Sequence, residues 1–195
     1  LAPWELARPQ DYWFDGKGQA CEMCTWRQAI RAERATETAH SAASALLDLH
    51  KAYEFANHTQ IIHQARKHGF KLRLLRFLLA TYRMKRAVVI EGVATPEVRA
   101  TRTVVAGCSH ASTLLRLALM SSLDAATSAW PSVHFAVVVD DVQLQATGKA
   151  DTVGRTVSGA VKLVTTLLTR DCHMVVSEPK FGVVIVDKEL DKDTT

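Results

Sequence analysis

The fold of this 195-residue chain is decided by the stretch Phe135-Ala136-Val137-Val138-Val139-Asp140-Asp141-Val142-Gln143-Leu144-Gln145-Ala146. A β-branched apolar run reaches two adjacent aspartates and resumes with alternating apolar and glutamine residues, a pattern typical of strand, tight turn and strand. Neighbouring anions beside a buried strand repel each other and lose solvation, so they need water or a cation. A hard cation such as Mg2+ meets that need. The alternative interpretation is an ordinary solvated aspartate turn.

A second carboxylate in a similar setting favours a cation site over a solvated turn. Asp48 follows the apolar run Ala45-Leu46-Leu47, which predicts a short buried strand. Two apolar strands that end in aspartates can be neighbours in one sheet. The sequence therefore predicts three carboxylates, Asp48, Asp140 and Asp141, around one or two divalent ions.

Composition and hydropathy bound the class of protein. The chain is 48% hydrophobic and 23% charged, as expected of one globular domain with a sizeable core. It begins with Leu1, has no signal-peptide pattern, and looks like a fragment of something longer. No stretch approaches the roughly 20 apolar residues that span a bilayer. We expect an intracellular protein, nuclear or cytoplasmic, without a membrane partner.

A basic block follows Asp48. Residues 55–90 contain no Asp or Glu, and this charge distribution predicts a phosphate-binding surface. A solvated helix face with acidic partners elsewhere is the alternative. The candidate nucleic-acid-binding residues are Arg66, Lys67, Lys71, Arg73 and Arg76.

Two other patterns are weaker. Cys21 and Cys24 form a lone CxxC, which has neither further zinc ligands nor a βαβ setting, so free thiols are expected. His58, His63 and His68 recur every five residues, which spreads them around a helix instead of along one face. A histidine metal site is therefore disfavoured.

Periodicity predicts an α+β protein in which helices cover one face of an antiparallel sheet. The predicted helices are 22–44, 53–68, 72–82, 111–126 and 152–168. The predicted strands are 45–49, 88–90 paired with 98–105, the two arms of the 135–146 hairpin, 172–176 and 183–186.

The order of the motifs resembles the palm of reverse transcriptases, and within them the retroelement or non-LTR retrotransposon type. The resemblance covers residues 26–188, as a palm with part of its fingers. Its motifs are Leu47-Asp48-Leu49-His50-Lys51-Ala52-Tyr53-Glu54, Gly69-Phe70, Ala106-Gly107-Cys108-Ser109-His110-Ala111, Val138-Val139-Asp140-Asp141 and Lys180.

This resemblance implies an RNA-directed DNA polymerase, a nucleotidyltransferase that extends a primer 3′-hydroxyl with dNTP. It implies an RNA template and a DNA primer as partners. It divides the chain into partial fingers at 1–44, a palm at 45–188 and a polar tail at 189–195. It also leads us to expect, in the full-length protein, a thumb segment that this chain lacks.

The resemblance also assigns roles to single residues. Asp48, Asp140 and Asp141 would be catalytic and, with the backbone carbonyl of Leu49, would hold two Mg2+ or Mn2+ ions. This agrees with the two-cation chemistry of phosphoryl transfer. The nucleotide-binding residues would be Tyr53, which excludes a ribose 2′-hydroxyl, Gly107 beside the templating base pair, and Lys180 near the pyrophosphate.

Several positions depart from the family pattern. The family usually has an aromatic residue at Val138, Gln at Ala106, and Pro and Ser at Ser109 and Ala111. These changes spare the metal ligands and alter the template-positioning loop. Two alternatives therefore remain: a catalytically inactive, decayed fragment that at most binds nucleic acid, and a palm-fold nucleotide cyclase.

Overall fold

A computed structural model describes residues 4–5, 7, 10–15 and 20–186 of the chain. The predicted polar tail lies outside the described residues, as does much of the stretch before residue 20. In chain order the elements are α1 (Cys21–Glu37), β1 (Ser41–Asp48), α2 (Ala52–Phe55), α3 (His58–Lys67), α4 (Leu72–Tyr82), β2 (Val89–Ile90), β3 (Val93–Ala94), α5 (Ala111–Ala129), β4 (His134–Val138), β5 (Asp141–Gly148), α6 (Ala150–Cys172), a 3-10 turn (Glu178–Lys180) and β6 (Gly182–Val186).

The chain forms two compact units. One comprises Leu1–His50 with Ser122–Thr195, and the other is Lys51–Ser121. The first unit contains a four-stranded sheet in the order β4-β5-β1-β6, in which every neighbouring pair is antiparallel. The predicted α+β class with an antiparallel sheet is confirmed.

One face of this sheet forms the core of the first unit. Leu47 lies opposite Val142, and Ala45 lies opposite Leu144, and all four side chains are buried. Helix α6 packs on β1 and β5 with a buried stripe at helical spacing. Each larger apolar side chain buried in this way contributes roughly 1.5–3 kcal/mol. The stripe consists of Val153, Val157, Ala160, Val164 and Leu168.

Helix α1 adds cover on the second face of the sheet. Gln143 and Gln145 alternate with the buried apolar residues of β5 and therefore point the other way. The Cys24 thiol donates to Gln143 Oε1 at 2.9 Å, and Gln145 Nε2 donates to the Gln28 carbonyl at 2.9 Å. The glutamines are thus held by α1, and this part of the sheet is covered on both faces. The prediction that helices cover only one face was wrong here, because the polar side chains of β5 that point away from the core bind α1.

The edge at β4 is covered by residues near the start of the chain. Trp13 forms a parallel bridge with Val137, whose carbonyl accepts from the Phe14 amide at 2.8 Å. The Tyr12 hydroxyl donates to Asp124 Oδ1 at 2.6 Å. This segment therefore satisfies backbone groups that an open sheet edge would leave unpaired.

A neutral, buried histidine connects three segments of the second unit. His58 Nδ1 accepts from Arg83 Nε at 3.1 Å, and Nε2 lies 2.8 Å from the Thr103 carbonyl. These partners require the proton on Nε2, and burial lowers the pKa of His58. His58 is therefore a structural residue of this unit.

Two element boundaries in the first unit differ from the prediction. The helix predicted for 22–44 ends at Glu37, because residues from Ser41 onward pair with β5 and, from Ala42, with β6. Small residues fit that central strand, and tertiary pairing overrides their helix propensity. The strand predicted for 172–176 is wrong, since Cys172 ends α6 and only Val176 bridges to Leu49.

Two predictions in the second unit were also wrong. The helix predicted for 53–68 is broken into α2 and α3, where the Asn57 side chain caps α3 by accepting from the Thr59 and Gln60 amides. Strand 88–90 does not pair with 98–105: β2 turns through Glu91 and Gly92 at positive φ and pairs with β3. Successive positive-φ residues are what a two-residue hairpin turn of type I′ requires.

No helix within the described part of the chain is long and apolar enough to cross a membrane.

Helix α6 is held close to the end of α5 by a glycine. A Cβ atom built on Gly159 would lie 2.6 Å and 2.7 Å from ring atoms of Trp130, whereas one on Gly154 would meet nothing within 4 Å. Both glycines lie inside the same helix, so they differ in packing and not in backbone conformation.

We therefore expect Gly159→Ala to lower the free energy of unfolding by about 1–3 kcal/mol through overpacking. Gly154→Ala is the matched control and should raise it by roughly 0.5–1 kcal/mol, since alanine favours the helix. Urea unfolding followed by circular dichroism measures both. Equal effects from the two variants would contradict the assigned packing of Trp130.

Candidate active site

The tip of the β4–β5 hairpin carries strained backbone. Val138 pairs with Asp141, which leaves residues 139–140 as a two-residue loop. Val139 has φ of +58°, a conformation that a β-branched side chain rarely adopts. Such strain costs of order 1–3 kcal/mol and persists where the surrounding structure fixes it. The tight turn that contains Asp140 is therefore maintained against local preference.

The register of the sheet brings the three predicted carboxylates to one end. Asp48 at the end of β1 pairs with Asp141 at the start of β5, so their side chains leave the same face of the sheet. The Leu49 amide donates to the Asp140 carbonyl at 3.2 Å, and the Ser177 amide donates to the Asp48 carbonyl at 2.8 Å. The backbone that carries Asp48 is therefore tied to both neighbouring segments.

Lys180 also reaches this end of the sheet. Its ammonium Nζ donates to Asp48 Oδ1 at 2.9 Å. The lysine side chain is 66% exposed and that of Asp48 only 16%, so water screens the pair from one side and its net contribution to stability is small. The hydrogen bond with Asp48 raises the pKa of Lys180. Lys180 is thus a largely exposed cation paired with Asp48.

Asp141 carries the electrostatic cost of the cluster. Partial burial raises its pKa most, the charges of Asp140 and Asp48 raise it further, and Lys180 opposes them. A raised carboxyl pKa means that the ionised form is disfavoured in the folded state. One lysine therefore does not compensate the three neighbouring aspartates.

The three aspartates have the ligand chemistry of a divalent-cation site, but their present arrangement does not form one. Carboxylate oxygens are the ligands that Mg2+ and Mn2+ prefer, and the raised pKa of Asp141 indicates negative charge that a cation would relieve. In the described residues, however, no three His, Cys, Asp or Glu side chains already form a metal-binding group. Lys180 Nζ occupies one oxygen of Asp48. A cation that used this oxygen of Asp48 would therefore have to displace Lys180.

Leu49 lies beside the aspartates but is buried in the core. Its amide holds the Asp140 carbonyl, and it bridges Val176 on the other side. The role of its own carbonyl as a metal ligand stays a prediction.

Tyr53 and Gly107 belong to the second unit. The Tyr53 hydroxyl lies 3.5 Å from Ser112 Oγ, and its carbonyl accepts from the Val104 amide at 2.8 Å. Gly107 has φ of +82°, and a Cβ there would meet nothing within 4 Å. Glycine at 107 is therefore required by backbone conformation and not by the proximity of other atoms.

The predicted basic surface is exposed and carries an aromatic residue that the sequence analysis missed. Arg66, Lys67, Lys71, Arg73 and Arg76 are exposed, and none forms an ion pair with another described residue. Phe77 is 66% exposed and follows Arg73 by one helical turn on α4, so the two share a face. Phe77 lies off the apolar stripe formed by Leu75, Leu78, Leu79 and Tyr82, and this position in the sequence is the signal that predicts its exposure.

Leu72 does not belong to that buried stripe. It is 47% exposed at the first position of α4. The first turn of the helix therefore adds apolar surface beside the basic residues.

The CxxC cysteines do not pair. Cys21 is exposed and Cys24 is buried, and the described thiols are free. Cys24 is instead used by its hydrogen bond to Gln143.

Comparison with known proteins gives a match in fold. No protein-family model and no curated protein matches the sequence. Among solved structures, telomerase from Candida tropicalis in complex with the TWJ fragment of telomeric RNA matches with a TM-score of 0.68 at 9% identity, covering 96% of this chain and 32% of that one. The corresponding complex from Candida albicans matches with a TM-score of 0.64 at 11% identity, covering 91% and 32%.

Apo telomerase from Candida tropicalis matches with a TM-score of 0.65 at 11% identity and covers 92% of this chain and 34% of that one. The chain therefore has a reverse transcriptase-like fold and spans about a third of the length of the telomerase chains that it matches.

The charge of Asp141 leads to a prediction on stability. Because the folded-state pKa is raised, the folded protein binds more protons than the unfolded chain from about pH 3.9 upward, and stability falls as pH rises through that window. The cost is therefore larger at pH 7 than at pH 4. Asp141→Asn should therefore be more stable than the parent at pH 7, and the difference should narrow as pH falls toward 4.

Urea denaturation at several pH values in the absence of divalent ions measures this difference. Glu33→Gln on α1 removes an exposed carboxylate and should change stability by no more than about 0.5 kcal/mol. A less stable Asp141→Asn at pH 7, or a gain that grows at low pH, would show that the ionised form of Asp141 is not disfavoured in the folded state.

Proposed function

We propose that this chain is the palm, with part of the fingers, of an RNA-directed DNA polymerase. The observation that carries the proposal is the pairing of Asp48 with Asp141, with Asp140 in the tight turn beside them. The reverse transcriptase-like fold supports it. The proposal includes the division into fingers at 1–44 and palm at 45–188.

The proposed reaction is transfer of a nucleotide from dNTP to a primer 3′-hydroxyl. Two Mg2+ or Mn2+ ions, when bound, would activate the attacking oxygen and stabilise the leaving pyrophosphate. Asp48, Asp140 and Asp141 would hold them, with the Leu49 carbonyl as a further ligand. The motif Asp48-Leu49-His50-Lys51-Ala52-Tyr53 favours the retroelement type. The roles of Tyr53 and Gly107 in nucleotide selection and template contact remain predictions from that resemblance.

Lys180 would act as a cation that exchanges partners. Its raised pKa keeps the ammonium protonated at neutral pH, and its exposed side chain is free to leave Asp48. When the aspartates take up cations, Lys180 would turn to the phosphates of the incoming nucleotide. The ion pair would thus stabilise Asp48 before binding and release a positive charge on binding.

A second candidate is a non-catalytic fragment that binds nucleic acid. The observation that favours it is the Asp48–Lys180 ion pair, together with the lack of a preformed metal-binding group among the described residues. In this case the pair would be permanent, and the exposed basic residues of the second unit would be the functional ones.

Single-nucleotide primer extension on an RNA template separates the two candidates. The assay uses excess primer–template with Mg2+ or Mn2+ and scores only the first addition, so that weak retention of the duplex does not limit it. We expect extension that Asp140→Asn lowers at least a hundredfold, because even groups that only orient a metal ligand change activity by roughly 10–100-fold. Asp151→Asn, an exposed aspartate of α6, should extend normally.

Mn2+ titration followed by electron paramagnetic resonance provides a readout that is independent of activity. The polymerase proposal requires tighter Mn2+ binding by the parent and Asp151→Asn than by Asp140→Asn. Equal, weak binding by all three, with no extension, would reject it in favour of the non-catalytic fragment.

The basic surface generates a further prediction. Phe77→Ala should weaken binding of single-stranded RNA by about 1–3 kcal/mol, since base stacking on an exposed aromatic has that value. Arg73→Gln should reduce the slope of log affinity against log salt by about 0.7, the contribution of one phosphate contact. Fluorescence anisotropy at several salt concentrations measures both.

Leu72→Ala is the matched control, because it removes exposed apolar surface from the same helix without removing a ring. It should leave RNA affinity nearly unchanged. Equal losses in Leu72→Ala and Phe77→Ala would indicate loosened helix packing and not stacking.

A further inference from the structure

A cavity of about 550 Å³ lies at the end of the sheet opposite to the aspartates. Its walls come from the second half of α1, from His134 at the start of β4, and from Thr147 and Gly148 at the end of β5. Along β1 the pairing runs from Ser41 opposite Gly148 to Asp48 opposite Asp141. At about 3.4 Å per residue, these two ends are about 24 Å apart, so the cavity is separate from the carboxylates.

The lining of this cavity is cationic. It includes Arg31 and Arg34 of α1, His40 and His134, and no Asp or Glu. The carboxylates in this half of α1, Glu33 and Glu37, are exposed and do not line it. Within the described residues neither arginine forms an ion pair. The cavity therefore concentrates positive charge that no described carboxylate neutralises.

Ordinary helix capping accounts for only part of this arrangement. A basic residue in the last turn of a helix interacts favourably with its carbonyl end, and Arg34 fits that description. Arg31 lies earlier in the helix, and the two histidines belong to other segments. These four groups come from three segments and line one cavity, and interaction with the end of the helix does not explain why they lie together.

The pKa values of two lining residues shift in the direction expected where positive charge is not compensated. Burial lowers the pKa of Arg31, and the neighbouring Arg27 lowers it further. Burial likewise lowers the pKa of His134, with Arg31 as the second cause. Positive charge on these groups is thus disfavoured by burial and then by the neighbouring cations, and a bound anion would raise both pKa values.

We propose that this cavity is a binding site for a phosphate group. Guanidinium groups match phosphate oxygens with paired donors, and the Thr147 hydroxyl and imidazole N–H groups are further donors. The volume falls within the range of small-molecule sites and exceeds that of one phosphate. The phosphate therefore belongs to a larger ligand, either a nucleic-acid strand or a free phosphorylated compound.

Titration with inorganic phosphate and with pyrophosphate tests the site. Nuclear magnetic resonance of the histidine rings follows His134, whose pKa should rise when phosphate binds. Arg31→Gln and Arg34→Gln should each weaken binding roughly 10–100-fold, because a hydrogen bond to a charged group contributes about 1.5–3 kcal/mol. Gly148→Asp should weaken it similarly, because its Cβ enters open space and brings a negative charge to the rim.

Arg155→Gln is the matched control. It removes an exposed arginine of α6 with the same change in net charge and should bind phosphate like the parent. Unfolding midpoints without phosphate check that each variant is folded; the partly exposed arginines make no hydrogen bond to another described side chain, so we expect no large change.

Two further arms identify the source of the phosphate. A single-stranded RNA oligonucleotide that binds more tightly than pyrophosphate, and loses affinity in Arg31→Gln, would assign the cavity to a strand backbone. Tighter binding of pyrophosphate would assign it to a free compound. Neither outcome depends on polymerase activity. The phosphate site can therefore be tested even if the proposed polymerase function is rejected.

The proposal is overturned if His134 does not respond to phosphate or pyrophosphate in the folded parent. It is also overturned if Arg155→Gln loses as much affinity as Arg31→Gln, since binding would then follow net charge and not this cavity.

Discussion

Asp48 meets Asp141 because β1 and β5 pair in one antiparallel register, and the rest of the structure depends on that register. The same alignment places Leu47 opposite Val142 and Ala45 opposite Leu144 in the core. A shift by one residue would turn every side chain of a strand to the other face. The buried apolar pairs therefore fix the position of the carboxylates, and repulsion between the aspartates cannot be relieved by sliding the strands.

Two features of the hairpin end oppose folding and are held by this core. Val139 adopts positive φ at a position where glycine or asparagine is usual, and Asp141 is partly buried beside two other carboxylates. Departures from local preference of this kind concentrate at functional sites. Their coincidence within three residues is a physical reason, independent of any resemblance, to regard this end of the sheet as functional.

The local sequence pattern predicted those parts of the fold in which the secondary-structure preference of the residues agrees with their tertiary contacts. The hairpin with alternating Val142, Gln143 and Leu144, the helix at 72–82 and the juxtaposition of Asp48 with Asp141 could all be predicted from the sequence. It failed where distant partners decide: Ser41 to Ser44 become strand because they pair with β5 and, from Ala42, with β6. The cationic cavity could not be predicted, because Arg31, His40, His134 and Thr147 meet only after the sheet has formed.

The two ends of the sheet in the first unit carry opposite charge, and this polarity follows from strand direction. Antiparallel pairing puts the end of β1 beside the start of β5, where the aspartates lie, and the end of β5 beside the start of β1, where the arginines of α1 converge. A separation of about 24 Å exceeds the Debye length of about 8 Å at physiological ionic strength, so salt screens one end from the other through water. Each end must therefore find its own counter-charge. The aspartates have a partial one in Lys180, whereas the described residues lining the cationic end include no carboxylate.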